Sequence, residues 1–221
     1  VLEGIPRGQK FISGFFPPDF VTNIDEIISG LNESLWMTVT STVVGIALSI
    51  PIGLGAAKNL APAPVYYFCR SVLATSRSFQ EVIVAIFMVK LFGFGPFAGF
   101  ITLVIATIGF YGKLLAEDIE DMAPVQAEAV KATGSSWLQW INYAVQPQVM
   151  PRMIGLGLYR LDINFRESAV LGIVGAGGIG VVLNNAFDQY DYQTAASVLL
   201  IIIGIVMLVE YSSGYIRKKV Q

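Results

Sequence analysis

Three stretches of the chain, residues 35–57, 97–116 and 195–209 with its flanks, are apolar almost without interruption. Roughly 20 such residues are what a helix needs to cross the hydrocarbon of a bilayer. Two further stretches, 65–92 and 151–174, are hydrophobic in outline but carry charges. The former holds Arg70, Arg77, Glu81 and Lys90, and the latter Arg160, Asp162, Arg166 and Glu167. Spans of that length use up the apolar residues and leave no room for a second large domain. The expected fold is all-α, a polytopic transmembrane helical bundle of about five spans. A soluble bundle with fully buried helices would need shorter apolar runs and longer connections. No short apolar run ends in a small-residue cleavage site near Val1, so no cleavable leader is read there. Because the first residue is not Met, residues are expected to precede it, a further span among them.

Composition removes most enzymatic chemistry. Charged residues make up 14% of the chain, against about a quarter in a soluble domain. Basic and acidic residues number 14 and 16, so there is no excess of positive charge to hold nucleic acid. Histidine is absent, and with it the commonest general base and zinc ligand. The single cysteine, Cys69, forms no internal disulfide or multi-thiolate metal site. No phosphate-binding G-x-x-x-x-G-K-[ST] sequence occurs. The expectation is no catalytic residue, no metal and no cofactor in this chain.

Basic residues set orientation, because they accumulate on the cytoplasmic side. The tail Arg217-Lys218-Lys219 abuts the last apolar stretch and is read as cytoplasmic. Counting back places Lys58, Lys113, Lys131 and Arg152 on the same side. The loop Gly93-Phe94-Gly95-Pro96 and residues 184–192 fall on the other and hold no Lys or Arg. Segment 1–30 is then an outer-face segment, with Phe15-Phe16-Pro17-Pro18-Asp19-Phe20 too proline-rich for a regular helix. Residues 31–216 form the membrane domain, and 217–221 a cytoplasmic basic tail.

The longest polar segment, about 117–150, lies on the cytoplasmic side. Pro124 suits a first helical position, and Ala127, Glu128, Ala129 and Ala132 favour helix. Gly134 suits the residue just past the helix end. Ser136 with Gln139 three residues on has capping-box spacing, predicting a second short helix from Trp137 to about Ala144. Pro147 and Pro151 are expected to close the unit. Two uses fit: a connector on the bilayer surface, or a docking element for a cytoplasmic partner.

Charges inside a span need a partner or a purpose. On the helix read over 65–92, Arg70, Arg77 and Glu81 share a stripe, with Arg77 and Glu81 an i,i+4 pair. On the fourth stretch Arg160, Asn164 and Glu167 share one face, and Asp162 and Arg166 the opposite one. Either these are ion pairs that lock neighbouring spans, with Arg70 reaching the inner headgroups, or they line an anion path. Arginine's paired donors suit an oxyanion, and Arg160 with Asn164 is the strongest candidate.

Gly175-Ala176-Gly177-Gly178-Ile179-Gly180 fits the dinucleotide pattern G-x-G-x-x-G. A nucleotide-binding half needs alternating strands and helices near the chain's start, whereas this motif lies late, between apolar stretches. The better use of Gly175, Gly177, Gly178 and Gly180 is a broken backbone that shapes an outer gate or a docking surface.

Glu128-Ala129-Val130, then Gly134, then Pro147 resembles the EAA loop of ABC importer permeases (EAA, three residues, G, nine residues, I-x-L-P). Val130, Ala144 and Gln146 depart from its letters. FFPPDF at 15–20, GFGPFAG at 93–99, PQVMP at 147–151 and VGAGGIG at 174–180 look like the permease of phosphonate importers, the PhnE type with a MetI-like fold. Glu167 departs from the small residue that family places there. The resemblance covers nearly the whole chain. It implies the type I permease fold, one more N-terminal span, and a homodimer in the bacterial inner membrane. Two ATPase subunits carrying ATP and Mg would receive Glu128, Ala129, Val130, Gly134 and Pro147, and an extracytoplasmic solute-binding protein would dock outside. A stand-alone secondary transporter or channel, and a dinucleotide-binding membrane oxidoreductase, are the alternatives.

Overall fold

The outward surface of this molecule is its apolar one. In the computed structural model, which describes residues 12–220 (the side chains of 216–220 excepted), helix α1 spans Ile24–Gly55. It turns Ser34, Thr38, Ser41, Thr42 and Ser49 inward and Leu35, Trp36, Val39, Val43, Leu48 and Ile50 outward. A helix in water shows the reverse pattern. Hydroxyl side chains sit comfortably inside because they bond to their own helix: Ser49 Oγ donates to Gly45 O at 2.6 Å and Thr102 Oγ to Ala98 O at 2.8 Å. Small residues also let helices approach. A Cβ on Gly45 would stand 2.6 Å from Thr107 Cβ.

Next along the chain are α2 (Ala63–Ser78), α3 (Glu81–Phe92) and α4 (Pro96–Glu120). The polar segment holds α5 (Pro124–Ala132), α6 (Trp137–Trp140) and a π-turn (Ile141–Val145). Then come α7 (Gln146–Ile173), α8 (Ile179–Asp188) and α9 (Tyr192–Val220). There is no strand among the described residues. Helices α1 and α4 and the Tyr192–Tyr215 part of α9 are long and apolar enough to cross a membrane, and α2 with α3 passes the same test only as a broken pair, a fourth span or a re-entrant loop. At 28 residues α7 is about 42 Å long. It can span, although its charges keep it out of the apolar set.

Three expectations need revising. Helix α1 begins at Ile24, inside the segment read as preceding the spans, and residues 1–11 of that segment lie outside the described residues. Segment 65–92 is two helices, so Arg77 and Glu81 are not an i,i+4 pair on one stripe. No glycine or proline marks the break. Ser78 Oγ bonds back to Ala74 O at 2.8 Å, Ser76 Oγ bonds across to Ile105 O at 2.6 Å, and Phe79 turns extended. Serine back-bonding of this kind bends helices, and Glu81 then suits the start of a new one. Pro147 and Pro151 do not close the polar unit. Pro147 is the second residue of α7, directly after the π-turn, and the helix continues through Pro151. The second short helix falls where expected: α6 runs on through the π-turn to Val145, which leads into α7 without a gap.

The chain falls into two compact units. The first comprises the described residues up to Thr40 with Glu81–Thr102 and Ile163–Tyr211, and the second Ser41–Gln80, Leu103–Asp162 and the chain from Ser212. The first has a core of Ile27, Ala169, Ile179, Leu183, Ala195 and Val198. There the proline-rich segment is tied to α9: Phe15 stacks on Tyr192, and Ser197 Oγ donates to Asp19 O at 2.6 Å. The core of the second gathers Tyr111, Leu115 and Ile119 of α4 with Ala127, Trp140, Val145, Val149 and Met153.

Candidate functional site

The polar projection belongs wholly to the second unit. Pro124 opens α5 and Lys131 lies in its last turn. Gly134 has φ +78°, the left-handed conformation that ends a helix, and no atom lies within 4 Å of where its Cβ would stand. Ser136 caps α6 in a capping box, its own N–H donating to Gln139 Oε1 at 2.8 Å. Trp140, the last residue of α6, clamps α5 in place. Its buried indole N–H donates to Ala127 O at 2.9 Å, and Lys131 Nζ lies 4.2 Å above its ring. Ala127 points inward, while Glu128 and Ala129 are exposed. Val130 is half-buried against the core, and its carbonyl accepts Thr133 Oγ at 2.7 Å and Ser135 Oγ at 2.9 Å. Pro147 is exposed at the start of α7. Val125, Trp137, Leu138 and Tyr143 are exposed on the same projection, more apolar surface than a solvated connector needs.

Its base is braced by groups that no local pattern announced. Arg70 Nε donates to Ala56 O at 2.9 Å and its guanidinium pairs with Glu120 at 2.8 Å. The Lys58 N–H adds a bond to Glu120 Oε1 at 2.7 Å. Arg152, near the start of α7, pairs with buried Asp118 at 2.9 Å. These partners are tens of residues apart in sequence. Arg70 thus has Glu120 as its ion-pair partner.

The glycine motif lies in the first unit. Gly175, Gly177 and Gly178 all have φ between +79° and +87°. Substituents would meet Phe94 at Gly175 and Ser34 at Gly178, while one on Gly180 would meet the Ala169 carbonyl and the Gly172 backbone. This close approach seats α8 on α7. Glu33 and Ser34 of α1 complete the turn: Gly178 N–H donates to Glu33 Oε2 at 3.1 Å and Ile179 N–H to Ser34 Oγ at 2.9 Å. They satisfy the first amides of α8, 145 residues away in sequence. Beside the turn is a cavity of about 730 Å³ whose lining includes Asp25, Glu26, Glu33 and Phe94 and no cation.

The intramembrane charges are spread out. Arg160 and Asp162 are buried in the second unit, where Arg160 Nε donates to Thr107 Oγ at 3.2 Å and its guanidinium lies 5.4 Å from the Phe110 ring centre. Asn164 is buried in the first unit, and Arg166 exposed there. Arg77 is exposed and Glu81 half-buried, on separate helices. No group of three or more Cys, Asp or Glu that could hold a metal ion occurs among the described residues.

A family model described as the binding-protein-dependent transport system inner membrane component matches residues 49–221. The chain is 36% identical over 219 residues to the phosphite transport system permease protein PtxC of Stutzerimonas stutzeri, covering 99% of this chain and 79% of that one. It is 38% identical over 204 residues to the phosphate-import permease protein PhnE of Mycolicibacterium smegmatis, covering 92% of this chain but only 38% of that longer protein. Inward-facing structures of the MetNI methionine ABC transporter include a chain that superposes with a TM-score of 0.80 at 21% identity, covering 91% of this chain and 99% of that one.

Proposed function

The chain belongs to the family of binding-protein-dependent transport system inner membrane components, and we propose that it is the permease subunit of an ATP-driven importer for phosphonate or a related phosphorus oxyanion, such as phosphite or a phosphate ester. It is a multi-pass protein of the inner membrane, and we place its C-terminus in the cytoplasm. In this reading it supplies the path and the coupling, while ATP and Mg are handled by two separate ATPase subunits. A second copy completes the membrane dimer, and an extracytoplasmic solute-binding protein delivers the anion.

The observation that carries the reading is the projection from Pro124 to Val145. A capped, internally bonded helix transmits a push as a rigid-body displacement, and a flexible connector would absorb it. Glu128 and Ala129 on its exposed face, Val130 and Gly134 at its end and Pro147 where it meets α7 are the proposed coupling residues. Closure of the ATPases would move this element, and the path would open alternately to each side. The glycine turn from Gly175 to Gly180 is the proposed outer gate or docking surface. The charged residues lining its neighbouring cavity are all acidic, which suits a basic face on the binding protein and disfavours a free phosphorus dianion. The anion route is proposed to run along α7, with Arg160 and Asn164 as principal groups and Arg166, Arg77 and Glu81 as accessory ones.

Reconstitution with the ATPase partner tests this. In proteoliposomes, ligand-loaded binding protein should stimulate ATP hydrolysis and uptake together, and a panel of phosphonate, phosphite and phosphate ester ranks the cargo. Glu128→Lys and Gly134→Trp should uncouple the two; variants that still couple them remove the docking assignment. Arg160→Ala should lower uptake while the complex still assembles, and unchanged uptake takes Arg160 out of the route. Uptake without ATP would instead favour a stand-alone secondary transporter.

A further inference from the structure

Within the second unit a cavity of about 340 Å³ opens between α1, α4, the π-turn and α7. Its walls are apolar except for Asn142 of the π-turn and Gln146, the first residue of α7, which belong to the side where the projection joins the bundle. Tyr111 also lines it, but its hydroxyl is occupied, donating to Met153 O at 3.1 Å. Two outward stripes run into the cavity. On α1, Val43, Ala47, Ile50 and Leu54 recur at helical spacing; the first three are exposed, and the last two line the cavity. On α7, Met150 is exposed and lines it, and Ile154, one turn on, is exposed. On the membrane reading the exposed stripe on α1 faces lipid, and the cavity is then continuous with surface bathed in hydrocarbon.

An apolar cavity of about 150 Å³ already stays dry and takes up a hydrocarbon. This one is more than twice that size and open to the bilayer. We propose that it is an acyl-chain site, filled by one tail of a phospholipid, with Asn142 and Gln146 at the level of the ester and head group. The lining matches a lipid in kind: α1, α4 and the rest of α7 give it apolar side chains, and its two amides come from the segment that joins the polar projection to α7. The tail lies against Val145 and Val149, where the π-turn passes into α7, so the root of the projection is fully packed only in a bilayer. The proposal rests on the membrane reading alone and on nothing about cargo or ATPase, so uptake results leave it standing.

The test uses the full chain in phosphatidylethanolamine nanodiscs doped with a phospholipid that carries a diazirine near the end of one tail. After illumination, labelled residues are mapped by mass spectrometry. Leu115 and Met153 line the cavity but are buried, so annular lipid cannot reach them. Both should be labelled, and Leu54→Trp and, separately, Met150→Trp should reduce their labelling to background while exposed Leu48 stays labelled. Label at Leu48 but not at Leu115 or Met153, or label unchanged by both tryptophans, overturns the site. So does disulfide formation between two copies carrying Met150→Cys in a Cys69→Ala background, which would place a second copy over the mouth.

Discussion

Replacing Gly134 isolates the backbone's share in holding the coupling projection. At φ +78° with nothing within 4 Å of a Cβ, alanine meets no clash and pays only for the left-handed conformation, about 1–2 kcal/mol. Loss of glycine's freedom in the opened loop offsets about 0.4–1 kcal/mol of that. The net, near 1 kcal/mol, corresponds to roughly a five-fold rise in the opened loop's population. Asparagine, which tolerates this conformation, should fall between glycine and alanine, and β-branched valine should exceed alanine. Hydrogen exchange reads the opening directly. The amides of Thr133 and Gly134, which donate to Val130 O and Lys131 O, should exchange faster in the order Gly, Asn, Ala, Val, with the amides of α8 unchanged. An alanine variant that exchanges like the parent, or asparagine worse than alanine, would refute the conformational argument.

Three further outcomes are expected in other parts of the molecule. Gly180→Ala drives a methyl into the Ala169 carbonyl and the Gly172 backbone; overpacking of this kind costs about 1–3 kcal/mol. It should lower the melting temperature clearly, whereas Gly204→Ala, with open space around it, should not. A double-mutant cycle of Arg70→Met and Glu120→Gln should give a coupling of about 0.2–1 kcal/mol that shrinks with salt, because the two side chains are 28% and 30% exposed; a coupling insensitive to salt would contradict it. The Asp19 carboxyl is held below its ordinary 3.8, first by the Thr22 hydroxyl and then by the Val21 and Thr22 N–H groups. A carboxyl lowered on folding stabilises the turn above its unfolded value and loses that contribution as pH falls through the folded one. The turn should therefore weaken only in acid below that range, and Thr22→Val should move the carboxyl's titration, tracked by carbon-13 NMR, to higher pH.

Local grammar was readable in advance and distant pairing was not. Pro124, Gly134 and the Ser136–Gln139 box each act within four residues, and all three sit where their chemistry put them. The break after Ser78 had no glycine or proline to announce it, since it comes from serine hydroxyls, one of which bonds 29 residues away. The π-turn likewise holds no glycine or proline to announce it. The motif at 175–180 stood out, but Glu33 and Ser34, which hold its amides, lie across the chain and carry no mark of that task. Buried Arg160 could be placed within a span from its neighbours in sequence. That it meets Thr107 and Phe110 depends on how α4 and α7 lie together.

The inverted helix α1 has a consequence for anyone who would re-engineer the chain. In a water-soluble protein the interior is conservative and the surface forgiving toward polar change. Here exchange among Leu, Val, Ile and Phe at Val43 or Leu48 should be almost free, because lipid tails adapt to any apolar shape. Ser41 and Ser49, which a surface scan would treat as expendable, are fully buried, and enlarging them would push helices apart. A water-soluble version would therefore be sought by recolouring the outside with charge and leaving the hydroxyl lattice inside untouched.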